Sequence, residues 1–275
     1  MLLSLDIGNS TIGLGLFLKP FESPRVSIKK IPTYPVLTSE AYKRIFADFI
    51  KCHAKPSALN ALVLDAIISS VVPSLNSLVM KSLRAMRSRN TILVNYTTAG
   101  RLTFEVTSPQ EVGADRIANA IAGFRLCRTP VAIADVGTAT TITVVGSKMN
   151  LLGGTILPGL ELMQRSLNEE TAQLPGIIIR RPRSVLGKNT VSGITSGIVH
   201  GTAGAIDMLI KDIEKELHYR LQLILTGGHA EIVAPFIKRN HVVMPNLTFE
   251  GLRLIYQSYT EDIPKDAPKH FMEAQ

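Results

Sequence analysis

Two stretches decide the reading: Leu2-Leu3-Ser4-Leu5-Asp6-Ile7-Gly8-Asn9-Ser10-Thr11 near the start, and Val131-Ala132-Ile133-Ala134-Asp135-Val136-Gly137-Thr138-Ala139-Thr140 half a chain later. Each opens with an apolar run that reads as a buried strand, ends on a short carboxylate, and turns through Asp-x-Gly into a second strand (residues 11–17 and 140–145). A tight glycine turn leaves backbone N–H groups open to an anion, with no side chain to block the approach. Asn9, Ser10, Thr138 and Thr140 add amide and hydroxyl groups, and the carboxylates of Asp6 and Asp135 suit a cation that screens phosphate charge. A single Asp-x-Gly reads as an ordinary hairpin turn. Two copies in matching strand contexts, with Thr226-Gly227-Gly228 after a third strand over residues 221–225, outline two phosphate-holding segments and one for a nucleoside.

The remaining chain alternates strand and helix patterns. Further strands are expected at residues 26–31, 62–69 and 91–95. Helices are expected at 39–52, 73–87, 159–169, 190–216, 230–238 and 247–259, and the polar segment from residue 261 onward reads as a loose tail. Ser108, Pro109 and Glu111 form a capping-box pattern, which predicts one helix from residue 109 to 127 carrying Gly113-Ala114-Asp115-Arg116 in its first turns. The repeat of the Asp-x-Gly unit divides the chain into two domains, 1–127 and 128–275.

The bulk numbers narrow the class. With 275 residues, 45% hydrophobic and 19% charged, the chain is an ordinary globular α/β protein. No apolar stretch reaches membrane-spanning length and no basic leader opens the chain, so a soluble, cytoplasmic protein is expected. Cys52 and Cys127 are not in a C-x-x-C pair and fit a reducing compartment. The net charge of +8 raises nucleic acid as a partner. However, the densest basic groups, Arg84, Arg87 and Arg89, then Arg180, Arg181 and Arg183, have no interleaved aromatics for base stacking. They read as solvated surface with a general attraction for small anions. The Walker A pattern is absent: Gly187-Lys188-Asn189-Thr190 has Asn where Ser or Thr is needed. No H-E-x-x-H occurs and the histidines are scattered, which disfavours a zinc hydrolase.

Beyond the two turns, an ordered series of short runs resembles type III pantothenate kinase over nearly the whole chain. The runs are Asp6-Ile7-Gly8-Asn9, Ser69-Ser70-Val71-Val72-Pro73, Gly113-Ala114-Asp115-Arg116, Asp135-Val136-Gly137-Thr138-Ala139-Thr140, Gly153-Gly154-Thr155-Ile156-Leu157-Pro158-Gly159, Gly187-Lys188-Asn189-Thr190, Ser196-Gly197, Thr226-Gly227-Gly228 and Leu247-Thr248-Phe249-Glu250-Gly251-Leu252. The resemblance implies duplicated ribonuclease-H-like domains of the actin, hexokinase and Hsp70 type, with mixed sheets flanked by helices. It implies phosphorylation of pantothenate by ATP, with Mg²⁺ and a monovalent cation (K⁺ or NH₄⁺), as the first step of coenzyme A synthesis.

Carried over by position, Asp115 resembles the general base, and Gly113, Ala114, Arg116 and Thr190 resemble substrate contacts. Asp6, Ile7, Gly8, Asn9, Ser10, Thr11, Ile12, Gly13 and Thr138 resemble ATP contacts. Asp135 resembles the monovalent-cation ligand, and Asp6 is the candidate for Mg²⁺. The resemblance also implies a homodimer, which the Gly- and Ala-containing helix from residue 190 fits. Two positions depart from the family: Val106 stands where a Tyr usually lines the pantothenate pocket, and Thr143 where a second Asp usually follows Asp135. Because some relatives are described as accessory transcription factors, a degenerate homologue acting as a binding protein is the alternative reading.

Overall fold

In a computed structural model of the chain, residues 1–54 and 64–261 are described. They form two compact units. The first comprises residues 1–54, 64–102, 108–122 and 248–261, and the second residues 103–107 and 123–247. The last helix in sequence therefore belongs to the first unit.

The first unit is built on a five-stranded sheet in the order β3-β2-β1-β4-β5, with β1 Leu2–Ile7, β2 Thr11–Phe17, β3 Ser27–Pro32, β4 Asp65–Ser70 and β5 Thr91–Leu93. β1 pairs antiparallel with β2 (Asp6 opposite Gly13) and parallel with β4 (Asp6 opposite Ser69). The expected start of β4 at residues 62–63 lies outside the described residues.

Strand alternation divides the side chains. Leu3, Leu5 and Ile7 of β1 and Ile12, Leu14 and Leu16 of β2 enter one core. Helices α1 (Ser39–His53) and α2 (Pro73–Ala85) supply Tyr42, Phe46, Leu75 and Val79 to that core, at helical spacing. The opposite face carries Asp6, Gly13, Gly15 and Ser69.

The terminal helix α7 (Leu247–Glu261) covers that opposite face, and its motif explains how. Phe249 lies over Gly13 and Gly15, where an added Cβ would come within 2.8 and 2.6 Å of its ring. Thr248 Oγ1 donates to Asn119 Oδ1 (2.9 Å), and Gly251 lets α7 meet the backbone of Ala118, since a Cβ there would stand 2.0 Å from its carbonyl oxygen. Arg253 forks onto Glu250 (2.8 and 2.6 Å) and donates to the Pro20 carbonyl (2.8 Å). At the far end, Tyr256 donates to the buried Asp65 carboxylate (2.8 Å), which Arg89 also grips through Nε and Nη2. Burial and this carboxylate push the Tyr256 phenol well above its usual value.

The second unit repeats the plan. Its sheet runs β11-β10-β7-β8-β9-β6, with β7 Val131–Val136, β8 Ala139–Val145, β9 Asn150–Pro158, β10 Gln222–Thr226, β11 Val242–Val243 and the edge strand β6 Thr103–Phe104. β7, β8, β9, β10 and β11 take the places of β1 to β5, with the same parallel and antiparallel pairings. The repeated Asp-x-Gly turn is thus the visible part of a whole duplicated sheet. Ala132, Ala134, Val136, Ile142, Val144, Leu223 and Leu225 face a core closed by α4 (Leu160–Glu169), α5 (Thr190–Leu217) and α6 (Ala230–Val233). Within it, burial alone would raise the Glu214 carboxyl. The Leu221 N–H and the Arg239 and Arg220 guanidiniums outweigh that and hold it below its usual value.

Two helical expectations need correction. Pro109–Glu111 is a short 3₁₀ turn that ends at an extended Val112, and helix α3 begins afresh over Ala114–Cys127. Ser108 makes no side-chain capping bond, because the chain turns where Gly113 packs against Val71 rather than continuing one helix. The helix expected over 230–238 stops at Val233 and passes into a 3₁₀ turn, Ala234–Phe236, because Pro235 has no N–H to continue it. The tail expected from residue 261 lies, past that residue, outside the described residues.

Candidate functional site

In the first unit the site grows from the ends of β1 and β4. Gly8 N–H donates to the Thr11 carbonyl (2.9 Å) and closes the turn, while Thr33, just past the end of β3, braces it, its Oγ1 donating to the Gly8 carbonyl (2.7 Å). The turn leaves Asn9, Ser10 and Thr11 exposed, whereas Ile7, Ile12 and Gly13 are buried behind it. Ser69 Oγ donates to Asp6 Oδ1 (3.0 Å), which orients that carboxylate beside the turn. The β4–α2 connection then runs through Ser70-Val71-Val72, tied back to β1 by Val71 N–H donating to the Ile7 carbonyl (3.0 Å).

Against this connection lies the start of α3. An added Cβ on Gly113 would stand 2.5 Å from Asp115 Oδ1 and 3.5 Å from Val71 Cγ1, so only glycine leaves room for the carboxylate there. Burial raises the Asp115 carboxyl above its ordinary value. The Arg116 backbone N–H (2.8 Å from Oδ1) and the Arg116 charge only partly offset this. Burial also lowers the Arg116 guanidinium, with Asp115 opposing. Ala114 is buried, and Asp115 and Arg116 are partly exposed. The ends of β1 and β4 and the first turn of α3 are thus joined through Val71 and Gly113. A base of raised pKa next to a cation can take a proton from a hydroxyl on an acidic substrate.

In the second unit three segments converge on the end of β7. Thr138 is exposed at the turn, and Gly159 N–H donates to its carbonyl (3.1 Å). A Cβ on Gly159 would stand 2.3 Å from the carbonyl oxygens of both Gly137 and Thr138. Gly227, at φ +93°, approaches Asp135 so closely that a Cβ would stand 2.3 Å from its Oδ1. Gly159 and Gly227 therefore serve close packing around the turn. Asp135 shares its sheet face with Thr141, Thr143 and Thr226, and the Ala134–Ile142 pair separates the Asp135–Thr141 pair from the Ile133–Thr143 pair. The position where the resemblance implies a second carboxylate is thus two pairs from Asp135 on the same face, and Thr143 fills it as a buried residue. Thr140 points to the other face, with its hydroxyl wholly buried, and does not serve the turn's outer surface.

Val106 is partly buried in the short segment that also carries β6. Thr190 is the first residue of α5 and exposed, but the cap is Asn189. Asn189 Oδ1 accepts from Ser192 N–H (2.9 Å), and Ser192 Oγ accepts from Asn189 N–H (3.1 Å). This helix end borders a feature that the sequence reading did not single out, a cavity of about 820 Å³ lined by Arg180, Arg181, Arg183 and Lys188 with no acidic residue. Only the Arg run signalled it. Arg181 also lies over the Phe236 ring, 5.9 Å from its centroid. Such a lining attracts anions.

Among the described residues no three His, Cys, Asp or Glu side chains converge as a metal-binding group, and no helix is long and apolar enough to cross a membrane. Mg²⁺ keeps several waters and uses one or two carboxylates plus substrate phosphates, so the Asp6 carboxylate oriented by Ser69 fits that mode.

The sequence profile described as type III pantothenate kinase matches residues 2–212. A type III pantothenate kinase from Citrifermentans bemidjiense is 37% identical over 257 residues, covering 94% of this chain and 99% of the relative. In structure, a Baf family transcriptional activator from Campylobacter jejuni superposes with a TM-score of 0.56 at 18% identity, covering 94% of this chain and 99% of the other. The activator of the 2-hydroxyisocaproyl-CoA dehydratase from Clostridium difficile does so with 0.54 at 11% identity, covering 97% and 99%. These two share the fold: duplicated α/β units with mixed sheets flanked by helices. The chain belongs to the type III pantothenate kinase family.

Proposed function

We propose that the protein transfers the γ-phosphoryl group of ATP to the primary hydroxyl of pantothenate, the first step of coenzyme A synthesis. The observation that carries the reading is the Asp115 carboxylate, raised by burial and held in the first turn of α3 beside Val71. Asp115 accepts the hydroxyl proton as the new O–P bond forms, the bond from the γ-phosphorus to the bridging oxygen breaks, and ADP leaves. Arg116 pairs with the pantothenate carboxylate, with Gly113 and Ala114 as neighbouring substrate contacts, and by the resemblance Thr190 and Val106 are further substrate positions, Val106 in place of a Tyr.

In the first unit, residues 6–13 are the ATP segment, with the exposed Asn9, Ser10 and Thr11 of its turn meeting the phosphates, and Asp6 would hold Mg²⁺. In the second, Thr138 contacts phosphate, and Asp135 with nearby oxygens holds K⁺ or NH₄⁺. When bound, these cations neutralise phosphate charge. Cys52 and Cys127 are free thiols, which fits a cytoplasmic enzyme.

A homodimer is part of this proposal. Gly193, Gly197, Gly201 and Gly204 are exposed along α5 with open space where a Cβ would stand, so a second helix can approach its backbone. Val191 (50% exposed), Met208 (55%) and Leu186 (69%) offer apolar surface on this helix and just before it.

Purified protein supplied with pantothenate, ATP, Mg²⁺ and K⁺ should form 4′-phosphopantothenate. Asp115→Asn should lose about 10²–10⁴-fold in kcat while keeping its melting temperature. No product from the wild type would end the kinase reading, and equal product from the variant would end the role of Asp115.

A further inference from the structure

His229 directly follows Thr226-Gly227-Gly228 and carries the chain into α6. Its backbone N–H donates to the Val136 carbonyl (3.0 Å), so the residue is docked on the end of β7. Its imidazole Nε2 lies 3.4 Å from Glu161 Oε1, while Nδ1 is fully buried with no hydrogen-bond partner among the described residues. This asymmetry selects a tautomer. An N–H at Nδ1 would strand a buried donor, whereas a proton at Nε2 finds a carboxylate. A proton at Nε2 therefore faces the Glu161 carboxylate, and Nδ1 keeps its bare lone pair.

Glu161 is equally well anchored. It is the second residue of α4, whose preceding Gly159 donates to the Thr138 carbonyl and admits no Cβ against Gly137 and Thr138. The first turn of α4 is thereby fixed to the Asp135 turn. On the other side, Gly227 is fixed against Asp135 and Val136. Backbone contacts set each segment on β7, and the His229–Glu161 pair joins the two beyond it by side chains. Glu161 is 71% exposed and the His229 side chain 21%, so the bond contributes little to global stability and its effect is local.

We infer that His229, through Glu161, is a positioning residue for the nucleotide: a latch that holds the Gly227-Gly228 loop in register with the Asp135-Val136-Gly137-Thr138 turn. The latch rests on the assignment of these two segments to ATP. Lost registration would weaken nucleotide binding, because the loop must then be ordered at the expense of binding energy.

The test uses full-length protein and isothermal titration with ADP and with a non-hydrolysable ATP analogue, without pantothenate, followed by steady-state kinetics. His229→Ala and Glu161→Ala should each weaken nucleotide binding and raise KM for ATP about 3- to 10-fold. KM for pantothenate and the melting temperature should stay unchanged. His229→Gln, whose Nε2–H₂ can reach Glu161, should restore most of the loss. Combining the two alanines should add nothing beyond either alone. Nucleotide affinity unchanged in both alanine variants, or no rescue by Gln, overturns the latch. A wild-type protein that binds no nucleotide overturns the ATP assignment beneath it. A fall in melting temperature with equal changes in both KM values assigns His229 to folding alone, which also overturns the latch.

Discussion

Asp115 shows how a residue type acquires chemistry from its surroundings. Asp in the first turn of a helix is favoured by the helix dipole and is commonly a plain surface charge. Here it packs beside Gly113, where an added Cβ would stand 2.5 Å from its Oδ1, and burial lifts its pKa. A base raised in this way is lost as pH falls through the higher value, so activity should fall on the acid side before ordinary carboxylates protonate at about 4. A pH profile of kcat/KM for pantothenate, with ATP saturating, should show this acid limb above that range. Its midpoint at or below 4 would contradict the raised base. The identity of Asp115 was legible through the Gly113-Ala114-Asp115-Arg116 run. Its burial was not, because desolvation depends on what packs over the first turn of α3 once the chain has folded.

At the scale of elements, close approach decides more than propensity does. The run 247–252 reads in sequence as an amphipathic helix, yet each of its central residues has a separate contact: Thr248 with Asn119, Phe249 with two strand glycines, Glu250 with Arg253, and Gly251 with the Ala118 backbone. Gly251→Ala should therefore lower stability by about 1–3 kcal/mol, since an added methyl must push α7 from α3. Chemical denaturation of the variant beside wild type measures it, and a change near zero would mean the two helices separate freely. Strand alternation and helix periodicity are local and were readable. The break at Val112 was not, since nothing in Ser108-Pro109-Gln110-Glu111 forbids a continuous helix. Packing at Gly113 sets the break, and it brings Asp115 into the first turn of a helix of its own.

At the scale of the whole molecule, the two units repeat one sheet plan, and each bears its Asp-x-Gly turn at the equivalent strand end. The glycine-lined, exposed face of α5 carries the expectation of assembly. In sedimentation velocity the wild type should run at twice the 29.9 kDa chain mass, and Gly197→Leu and Gly201→Leu should shift it toward the monomer. A monomeric wild type, or variants that stay dimeric, would sink that interface.

By itself the sequence determined the α/β class, the paired turns and the family, because these depend on local periodicity and on motif order along the chain. Only the tertiary structure decided that the terminal helix completes the first unit, that Gly159, Gly227 and Gly251 admit neighbouring backbone, that Thr143 stands two strand pairs from Asp135 on the same face, and that Asp115 is desolvated. Each depends on contact between segments distant in sequence, and no local pattern records what lies against a residue once the chain has folded.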